Sequence, residues 1–233
     1  MPYLDRDGDV HILYLGNKGE VDNENRFHPD YIDELHATFD EVEAIEGPGA
    51  LVTTSTGKFY SNGLHTDWMF ANFDKAYWYL DRVHSIFTRL LTFPMATVAA
   101  VNGHAFGAGA MMATSHDHRV MRADRGFYSL PEVLLGMPFT VAMNALITSR
   151  FTNQAAVSLM TTGRRVGGVE AKELGIVDAT ADGDAVLAHA IKQASELVGN
   201  RGQNLVNIKT RLHGPLLAAL ATETNAENLP FGK

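Results

Sequence analysis

The sequence predicts an α/β fold that ends in a helical C-terminal part. Short apolar segments rich in β-branched residues, such as 50–55 and 97–101, alternate with segments of helical spacing, such as 29–46 and 74–92. In the tail, 201–229, the apolar spacing is helical and no strand pattern recurs. Alternation of strands with helices is typical of a layered α/β core, and the late helices indicate an addition to it.

Length and composition support a folded chain with one large core. The chain has 233 residues, of which 45% are hydrophobic, so it can bury a sizeable core. We expect a core domain over residues 1–198 and a C-terminal helical appendage over residues 199–233. The appendage is expected to pack on the core or on a neighbouring subunit.

Charge and cysteine content exclude several classes of function. The net charge of −8 argues against nucleic-acid binding through a basic surface. The absence of cysteine excludes disulfides, thiol nucleophiles and zinc-cysteine sites. The stretch 95–114 is interrupted by polar and glycine residues at 102–104, so we expect no membrane span. Neither a signal peptide nor a peroxisomal C-terminal address is recognisable, and we expect a cytoplasmic protein.

Strand patterns and helix patterns follow one another in order. The predicted strands are 9–16, 50–55, 97–101 and 117–122, with 126–128 continuing the sheet and 175–178 forming a strand or turn. The predicted helices are 29–46, 74–92, a short one after 107–109, then 139–150, 153–162, 167–174, 184–198 and a tail broken at 214–215. Polar stretches at 20–27 and 56–62 predict loops. Proline near helix starts and glycine at helix ends support these boundaries.

Two glycine-containing turns follow predicted strands. Residues 61–64 come after the strand 50–55, and residues 107–109 come after the strand 97–101. Backbone approaches a ligand closely at such turns, so one N–H group from each turn could bind a common oxyanion. The alternative explanation is that small residues simply let a helix pack close to a sheet. Neither turn is a phosphate loop, because no Gly-Lys-Ser/Thr follows.

Glu132 is a lone carboxylate in an apolar neighbourhood. It follows Pro131 and precedes Val133 and two leucines. Removal from water raises the basicity of a carboxylate, which favours a role in proton transfer. The alternative is a structural one, since a glutamate in a first helical turn is stabilised by the helix dipole.

Two further groupings are weaker. His116 and His118 share one face of a predicted strand, but no third ligand is suggested, so we expect no metal site. His65 with Asp67, or His104, could belong to a catalytic triad. No Gly-x-Ser-x-Gly elbow is present, so a serine hydrolase is not expected.

Five motifs in a fixed order resemble a known family. They are residues 58–65, 94–109, 117–121, 131–136, and 163–166 with 170–178. Over roughly residues 8–200 the chain resembles the crotonase superfamily, also called the enoyl-CoA hydratase/isomerase superfamily. The resemblance implies a crotonase-type spiral of strand–strand–helix units, whose C-terminal helices assemble trimers that often pair into hexamers. It implies an acyl-CoA thioester as ligand and no separate cofactor, since coenzyme A is part of the substrate.

The resemblance also assigns roles to residues. The oxyanion would accept hydrogen bonds from the backbone N–H groups of Leu64 and Ala108, and Glu132 matches the second catalytic glutamate of hydratases. The position of the first glutamate is occupied by Met111. A single base suits a delta-3,delta-2-enoyl-CoA isomerase, and the segment 115–127 looks like the plant-type isomerases. We expect Phe106, Met111 and Leu134 to line the substrate pocket and keep it dry.

Two alternatives stay open from the sequence. The first is an enoyl-CoA hydratase or another crotonase reaction that uses an unrecognised second acid. The second is a non-catalytic acyl-CoA-binding subunit. Glu132 and the two donor turns count against the second alternative, and product analysis with 2-enoyl-CoA would separate the first from an isomerase.

Overall fold

The computed structural model describes residues 1–183 and 185–230. Its strands are β1 (Tyr3–Asp7), β2 (Val10–Tyr14), β3 (Arg26–Phe27), β4 (Ala50–Thr54), β5 (Phe59–Ser61), β6 (Gly63–Leu64), β7 (Ala96–Val101), β8 (His104–Phe106), β9 (His118–Arg122), β10 (Tyr128–Ser129) and β11 (Ala179–Ala181). Its helices are α1 (Pro29–Ala44), α2 (Thr66–Ala71), α3 (Ala76–Leu91), α4 (Ala108–Thr114), α5 (Val141–Arg150), α6 (Asn153–Thr162), α7 (Gly168–Glu173), α8 (Ala185–Ser195), α9 (Gln203–Leu212) and α10 (Gly214–Leu220). Three 3₁₀ turns lie at Phe73–Lys75, Pro131–Leu135 and Val198–Asn200. The predicted α/β class is confirmed.

A six-stranded sheet forms the base of the fold. Its order is β1-β2-β4-β7-β9-β11, and every pair except β1 with β2 is parallel. The central strands β4 and β7 are buried along their whole length, as expected of parallel strands covered on both faces. Helix α8 packs on one face, and the main core with α1, α3 and α4 lies on the other.

Each central strand continues into a second, smaller sheet before a helix begins. Strands β4, β7 and β9 lead to β5, β8 and β10, which form a parallel sheet in the order β10-β8-β5. Helices or 3₁₀ turns follow β6, β8 and β10. The repeated unit is therefore strand–strand–helix. The small sheet places the ends of β8 and β10 beside each other, where the candidate site lies.

The second, smaller sheet and the short strand β3 correct several predicted boundaries. The predicted loops 20–27 and 56–62 contain β3 and β5, and the segment 126–128 belongs to the small sheet rather than to the main one. The segment 175–178, predicted as a strand or turn, is a turn that precedes β11, so this prediction needs no correction. Strands of two or three residues are too short for period-two alternation, so the sequence carries little signal for them.

The helices follow their predicted positions closely. Pro29 stands at the start of α1, where its missing N–H costs no helical hydrogen bond. The predicted helix 139–150 begins at Val141, because the Thr140 hydroxyl accepts a hydrogen bond from Met143 N–H and caps it. Asp184, within the predicted helix 184–198, and residues 231–233 of the predicted appendage lie outside the described residues.

The C-terminal helices return to the body of the same chain. The tail breaks at Gly214, as predicted, and α10 packs against α5 and α3. Lys209 of α9 is buried, and its ammonium group donates to the Met95 carbonyl at 2.8 Å and lies 2.6 Å from the Asp117 carboxylate. Over the described residues, no helix is both long and apolar enough to cross a membrane.

Candidate active site

The two glycine turns predicted from the sequence are in direct contact. Gly63 has a φ of +78°, and a Cβ atom there would lie 2.6 Å from the Phe106 carbonyl oxygen and 2.9 Å from the Ala108 nitrogen. A side chain at position 63 would therefore be both strained and overlapping. The close approach brings the Gly63–Leu64 peptide next to the first residue of α4. Because Ala108 begins that helix, its N–H has no partner within the helix.

Gly109, in the second turn, also contacts the first turn. A Cβ atom at Gly109 would lie 2.4 Å from the Ser61 carbonyl oxygen. The buried Ser61 hydroxyl accepts a hydrogen bond from Gly63 N–H at 3.1 Å and donates one to the Asn25 carbonyl at 2.7 Å. The turn before Leu64 is therefore stabilised by the hydroxyl of its own residue Ser61 and by the backbone of Asn25, which precedes β3.

The Tyr79 hydroxyl forms a hydrogen bond with the backbone of His65, the residue that follows Leu64. In the parallel pair of β3 and β6, Leu64 lies opposite Phe27. The fully buried Tyr79 hydroxyl donates to the Phe27 carbonyl at 2.6 Å and accepts from His65 N–H at 2.8 Å. Burial raises the pKa of Tyr79 well above its usual range, so the phenol is neutral and can make both bonds. One hydroxyl therefore ties both strands of this short pair.

Glu132 faces the Gly107 turn from the 3₁₀ segment Pro131–Leu135. Its side chain is nearly enclosed, with 8% of the residue exposed, and Oε1 lies 3.3 Å from the position that a Cβ on Gly107 would occupy. Among the described residues, no group donates a hydrogen bond to Oε2. Burial raises the pKa of Glu132 to about 7, partly offset by a hydrogen bond from its own backbone N–H.

These groups border a cavity of about 320 Å³. Its apolar and small lining residues are Leu64, Phe106, Gly107, Ala108, Pro131, Leu135 and Met137. Its polar lining residues are Arg26, Asn62, Thr66, Ser129, Glu132 and Arg165. Of the lining residues in the described part of the chain, Glu132 alone carries a carboxylate. Four residues predicted from the sequence, Leu64, Phe106, Ala108 and Glu132, are therefore brought together on one cavity.

Two predicted pocket residues lie elsewhere. Leu134 is outside the lining and 69% exposed, and its side chain packs over Gly163. In a 3₁₀ turn residues i and i+3 lie on the same side, so Leu135 shares the side of Glu132 and Leu134 does not. Met111 is fully buried in the core rather than on the cavity, because α4 is enclosed along its whole length.

Apart from Glu132, the polar residues that line the cavity are not predicted from the sequence. Arg26 lies in a stretch predicted as a loop, and Arg165 follows the helix α6 far along the chain. Ser129 and Thr66 belong to short elements that the pattern does not reveal. The motif 58–65 contains Asn62, but nothing local indicates which of its side chains faces a ligand. Their common position results from the folding of distant segments onto the small sheet.

Two of the histidines considered from the sequence, His116 and His65, make hydrogen bonds that give them structural roles. His116 is fully buried and its two ring nitrogens lie 2.9 Å from the Thr53 hydroxyl and 2.9 Å from the Met112 carbonyl. Burial lowers its pKa to about 4, so it is neutral. His65 Nδ1 accepts from Trp68 N–H and caps α2. Within residues 1–183 and 185–230, no group of three or more suitable side chains could hold a metal.

Comparison with known proteins agrees with this architecture. The family described as Enoyl-CoA hydratase/isomerase matches residues 20–233. The protein named Enoyl-CoA delta isomerase 2, peroxisomal, from Arabidopsis thaliana is 32% identical over 240 residues, covering 97% of this chain and 98% of that protein. Enoyl-CoA delta isomerase 3 from the same plant is 36% identical over 191 residues, covering 78% and 77%.

A solved structure shows the same fold. The crystal structure of an enoyl-CoA hydratase from Mycobacterium marinum superposes with a TM-score of 0.87 at 25% identity, covering 99% of each chain. The chain belongs to the enoyl-CoA hydratase/isomerase family, and its fold is the crotonase spiral expected from the sequence motifs.

Proposed function

We propose that the protein is an enoyl-CoA delta isomerase that converts a 3-enoyl-CoA into a 2-enoyl-CoA, a step used in fatty acid β-oxidation. One observation carries the proposal: Glu132 lies beside the Gly107 turn and is the one carboxylate among the described residues that line the cavity together with Leu64 and Ala108. The substrate is an acyl-CoA thioester, and the reaction needs no separate cofactor. Two relatives named enoyl-CoA delta isomerase support this choice.

The proposed reaction is a proton transfer within one bound thioester. The Glu132 carboxylate removes a proton from C2, and the electron pair of that bond moves into the thioester to form a dienolate. The N–H groups of Leu64 and Ala108 donate hydrogen bonds to the thioester oxygen, which strengthen as negative charge develops there. Glu132 then returns the proton at C4, so the double bond moves from C3–C4 to C2–C3.

The environment of Glu132 suits this task. A general base is most effective when its pKa lies near the working pH, and burial raises the pKa of Glu132 to about 7. The Glu132 Oε2 atom has no hydrogen-bond partner among the described residues and is available to accept the proton. The Phe106, Leu135 and Met137 side chains on the cavity keep bulk water from the dienolate.

Hydration is the less favoured chemistry. Adding water to a 2-enoyl-CoA requires a group that positions the water, and a hydratase uses a second carboxylate for this. Position 111, where the sequence motif would place that acid, is a methionine enclosed in the core. The cavity lining offers no second carboxylate among the described residues. A silent acyl-CoA binder is also less favoured, because it would not need a buried base.

Assembly and location belong to the proposal as well. Trimers or hexamers follow from the family resemblance, and no nucleic acid or membrane is involved in the proposed reaction. The Arabidopsis thaliana relative whose match covers 98% of its own length carries the word peroxisomal in its name, whereas the cytoplasmic location is the prediction from the sequence.

The test is substrate turnover by the wild type and by Glu132→Gln. Purified protein is supplied with 3-enoyl-CoA and 2-enoyl-CoA of several chain lengths, and both isomerisation and hydration products are quantified. We expect isomerisation by the wild type and its loss in Glu132→Gln, while Glu173→Gln, the same change at an exposed glutamate outside the cavity, keeps full activity. Wild-type turnover in Glu132→Gln, or hydration as the main reaction, would refute the proposal.

A further inference from the structure

A chain of polar side chains connects α3 to the start of α5 through the interior of the protein. The His84 Nε2 atom lies 2.9 Å from the Thr140 hydroxyl oxygen. The His84 Nδ1 atom lies 3.4 Å from Asp81 Oδ1 and makes no regular hydrogen bond within the described part of the chain, so this second contact is electrostatic. His84 is 1% exposed and Thr140 is 2% exposed, and neither residue lines the active-site cavity. A buried polar chain of this kind fixes one arrangement where apolar side chains would allow several.

The contact between His84 and Thr140 fixes the beginning of α5. The Thr140 hydroxyl also accepts a hydrogen bond from Met143 N–H at 3.0 Å, so one oxygen joins the helix to the ring. The hydroxyl donates to Nε2 when that nitrogen is unprotonated and accepts from it when it carries a proton. The contact is therefore kept whichever ring nitrogen is protonated.

The ring of His84 is flanked by Asp81, which is itself held by the C-terminal tail. The Thr224 hydroxyl donates to Asp81 Oδ1 at 2.5 Å, and the Thr224 nitrogen lies 3.2 Å from both carboxylate oxygens. Burial acts to raise the pKa of Asp81, but its contacts with His84 and Thr224 outweigh burial and lower the pKa, so the carboxylate is ionised. One turn earlier on α3, the Tyr77 hydroxyl donates to the Leu229 carbonyl at 3.1 Å. The tail is thus fixed to the same helix that carries His84.

Thr140 ends the segment that carries Glu132. Within this segment, Met137 N–H donates to the Glu132 carbonyl at 2.9 Å. On the other side of Glu132, the Ser129 hydroxyl donates to the Gly163 carbonyl at 3.0 Å. The three apolar residues that follow Glu132 keep between 47% and 69% of their surface exposed, so packing contributes little to holding them. The position of Glu132 therefore depends on the two anchored ends of the segment, of which Thr140 is one.

Helix α3 contacts both halves of the candidate active site. Tyr79 of this helix bonds the backbone on either side of the Leu64 pair, and His84, five residues later, bonds Thr140. The helix is rigidly embedded, because its apolar side is fully buried in the main core. One helix therefore sets the distance between the oxyanion donors and the carboxylate, which a proton transfer requires to be constant.

We propose that His84 is a positioning residue: through Thr140 it fixes the segment that presents Glu132 to the cavity, while Asp81 and Thr224 orient its ring. The task given to Glu132 rests on the proposed isomerisation. The enclosure of Glu132 does not, and it is measured without turnover.

The first experiment follows the Glu132 carboxyl by carbon-13 NMR, with Glu132→Gln identifying its signal. We expect a titration midpoint near 7 in the wild type, because burial raises the pKa of Glu132 to about 7. His84→Leu and Thr140→Val loosen the segment and admit water, so the midpoint should fall by about one pH unit or more. Thr140→Ser keeps the hydroxyl and should restore the wild-type midpoint.

The matched control removes an equivalent helix cap that has no histidine partner. The Thr152 hydroxyl accepts a hydrogen bond from Ala155 N–H at 3.2 Å and caps α6 in the same way. Thr152→Val should lower stability as any lost cap does, yet leave the Glu132 midpoint near 7.

The second experiment separates positioning from substrate binding. With 3-enoyl-CoA as substrate, His84→Leu and Thr140→Val should lower kcat about tenfold, since a misplaced base slows the chemical step. KM should stay within about twofold of the wild type, because neither residue lines the cavity. Thr140→Ser and Thr152→Val should keep the wild-type kcat.

Two results would overturn the proposal. One is an unchanged Glu132 midpoint in folded Thr140→Val, and the other is an equal shift in Thr152→Val, since loss of a cap would then explain everything. If His84→Leu does not fold, the comparison of Thr140→Val with Thr140→Ser decides. If the wild type shows no isomerisation, the proposed function fails, whereas the NMR midpoints still support or overturn the anchoring of Glu132 by His84.

Discussion

Replacing Glu132 by glutamine tests the buried carboxyl directly, through the free energy of unfolding. Glutamine has nearly the same shape as the protonated carboxyl but cannot ionise. The side chain is nearly enclosed, and burial raises its pKa from 4.5 to about 7. At roughly 1.4 kcal/mol for each tenfold change in proton affinity, ionising Glu132 in the native state costs about 3 kcal/mol.

The sign follows from the direction of this pKa change. Since the native state binds the proton more tightly than the unfolded chain, the stabilising contribution is complete below pH 4.5 and is lost as the pH rises through 7. The Glu132→Gln variant has no carboxyl group to ionise, so its free energy of unfolding does not lose this contribution as the pH rises. The variant should therefore gain about 3 kcal/mol over the wild type between pH 4.5 and pH 8.

The assay is urea unfolding of both proteins at pH 4.5, 6, 7 and 8 at constant ionic strength. The other titrating groups are shared by the two proteins, so they cancel in the difference between the two unfolding free energies. A difference that does not change with pH would refute the reasoning, because it would mean that Glu132 is solvated in the native protein.

Three further predictions concern catalysis and the two turns. The kcat/KM of isomerisation should rise with pH with a midpoint near 7, because Glu132 of the free protein must be ionised to accept a proton; a flat profile from pH 6 to 8 would contradict this. Tyr79→Phe removes the hydroxyl that bonds the buried Phe27 carbonyl and the partly buried His65 N–H, so we expect a loss of about 1–3 kcal/mol in thermal or urea unfolding and a fall in kcat larger than any change in KM. Gly63→Ala should destabilise by more than about 2 kcal/mol in urea unfolding, whereas Gly19→Ala, with a similar φ but open space around it, should cost only the backbone strain; equal losses would argue against the close contact.

The proportion of the fold that could be predicted depends on the length of each element. The sequence predicts the long helices α1 and α3 and the buried strands β4 and β7 within a few residues. Several turns repeat the apolar spacing in each helix, and a continuous run of apolar and β-branched residues marks each strand. The small sheet was not predicted as a sheet, since each of its strands has two or three residues.

The sequence by itself determined the chemical groups of the candidate site: two glycine turns after buried strands, and one glutamate followed by apolar residues. These signals are local, because backbone freedom and desolvating neighbours are properties of a few adjacent residues. The tertiary structure decided which of them meet. It brought Gly63 against Ala108, placed Leu135 instead of Leu134 on the cavity, and enclosed Met111 in the core. Such contacts depend on the packing of segments that are distant in the chain, which no local pattern encodes.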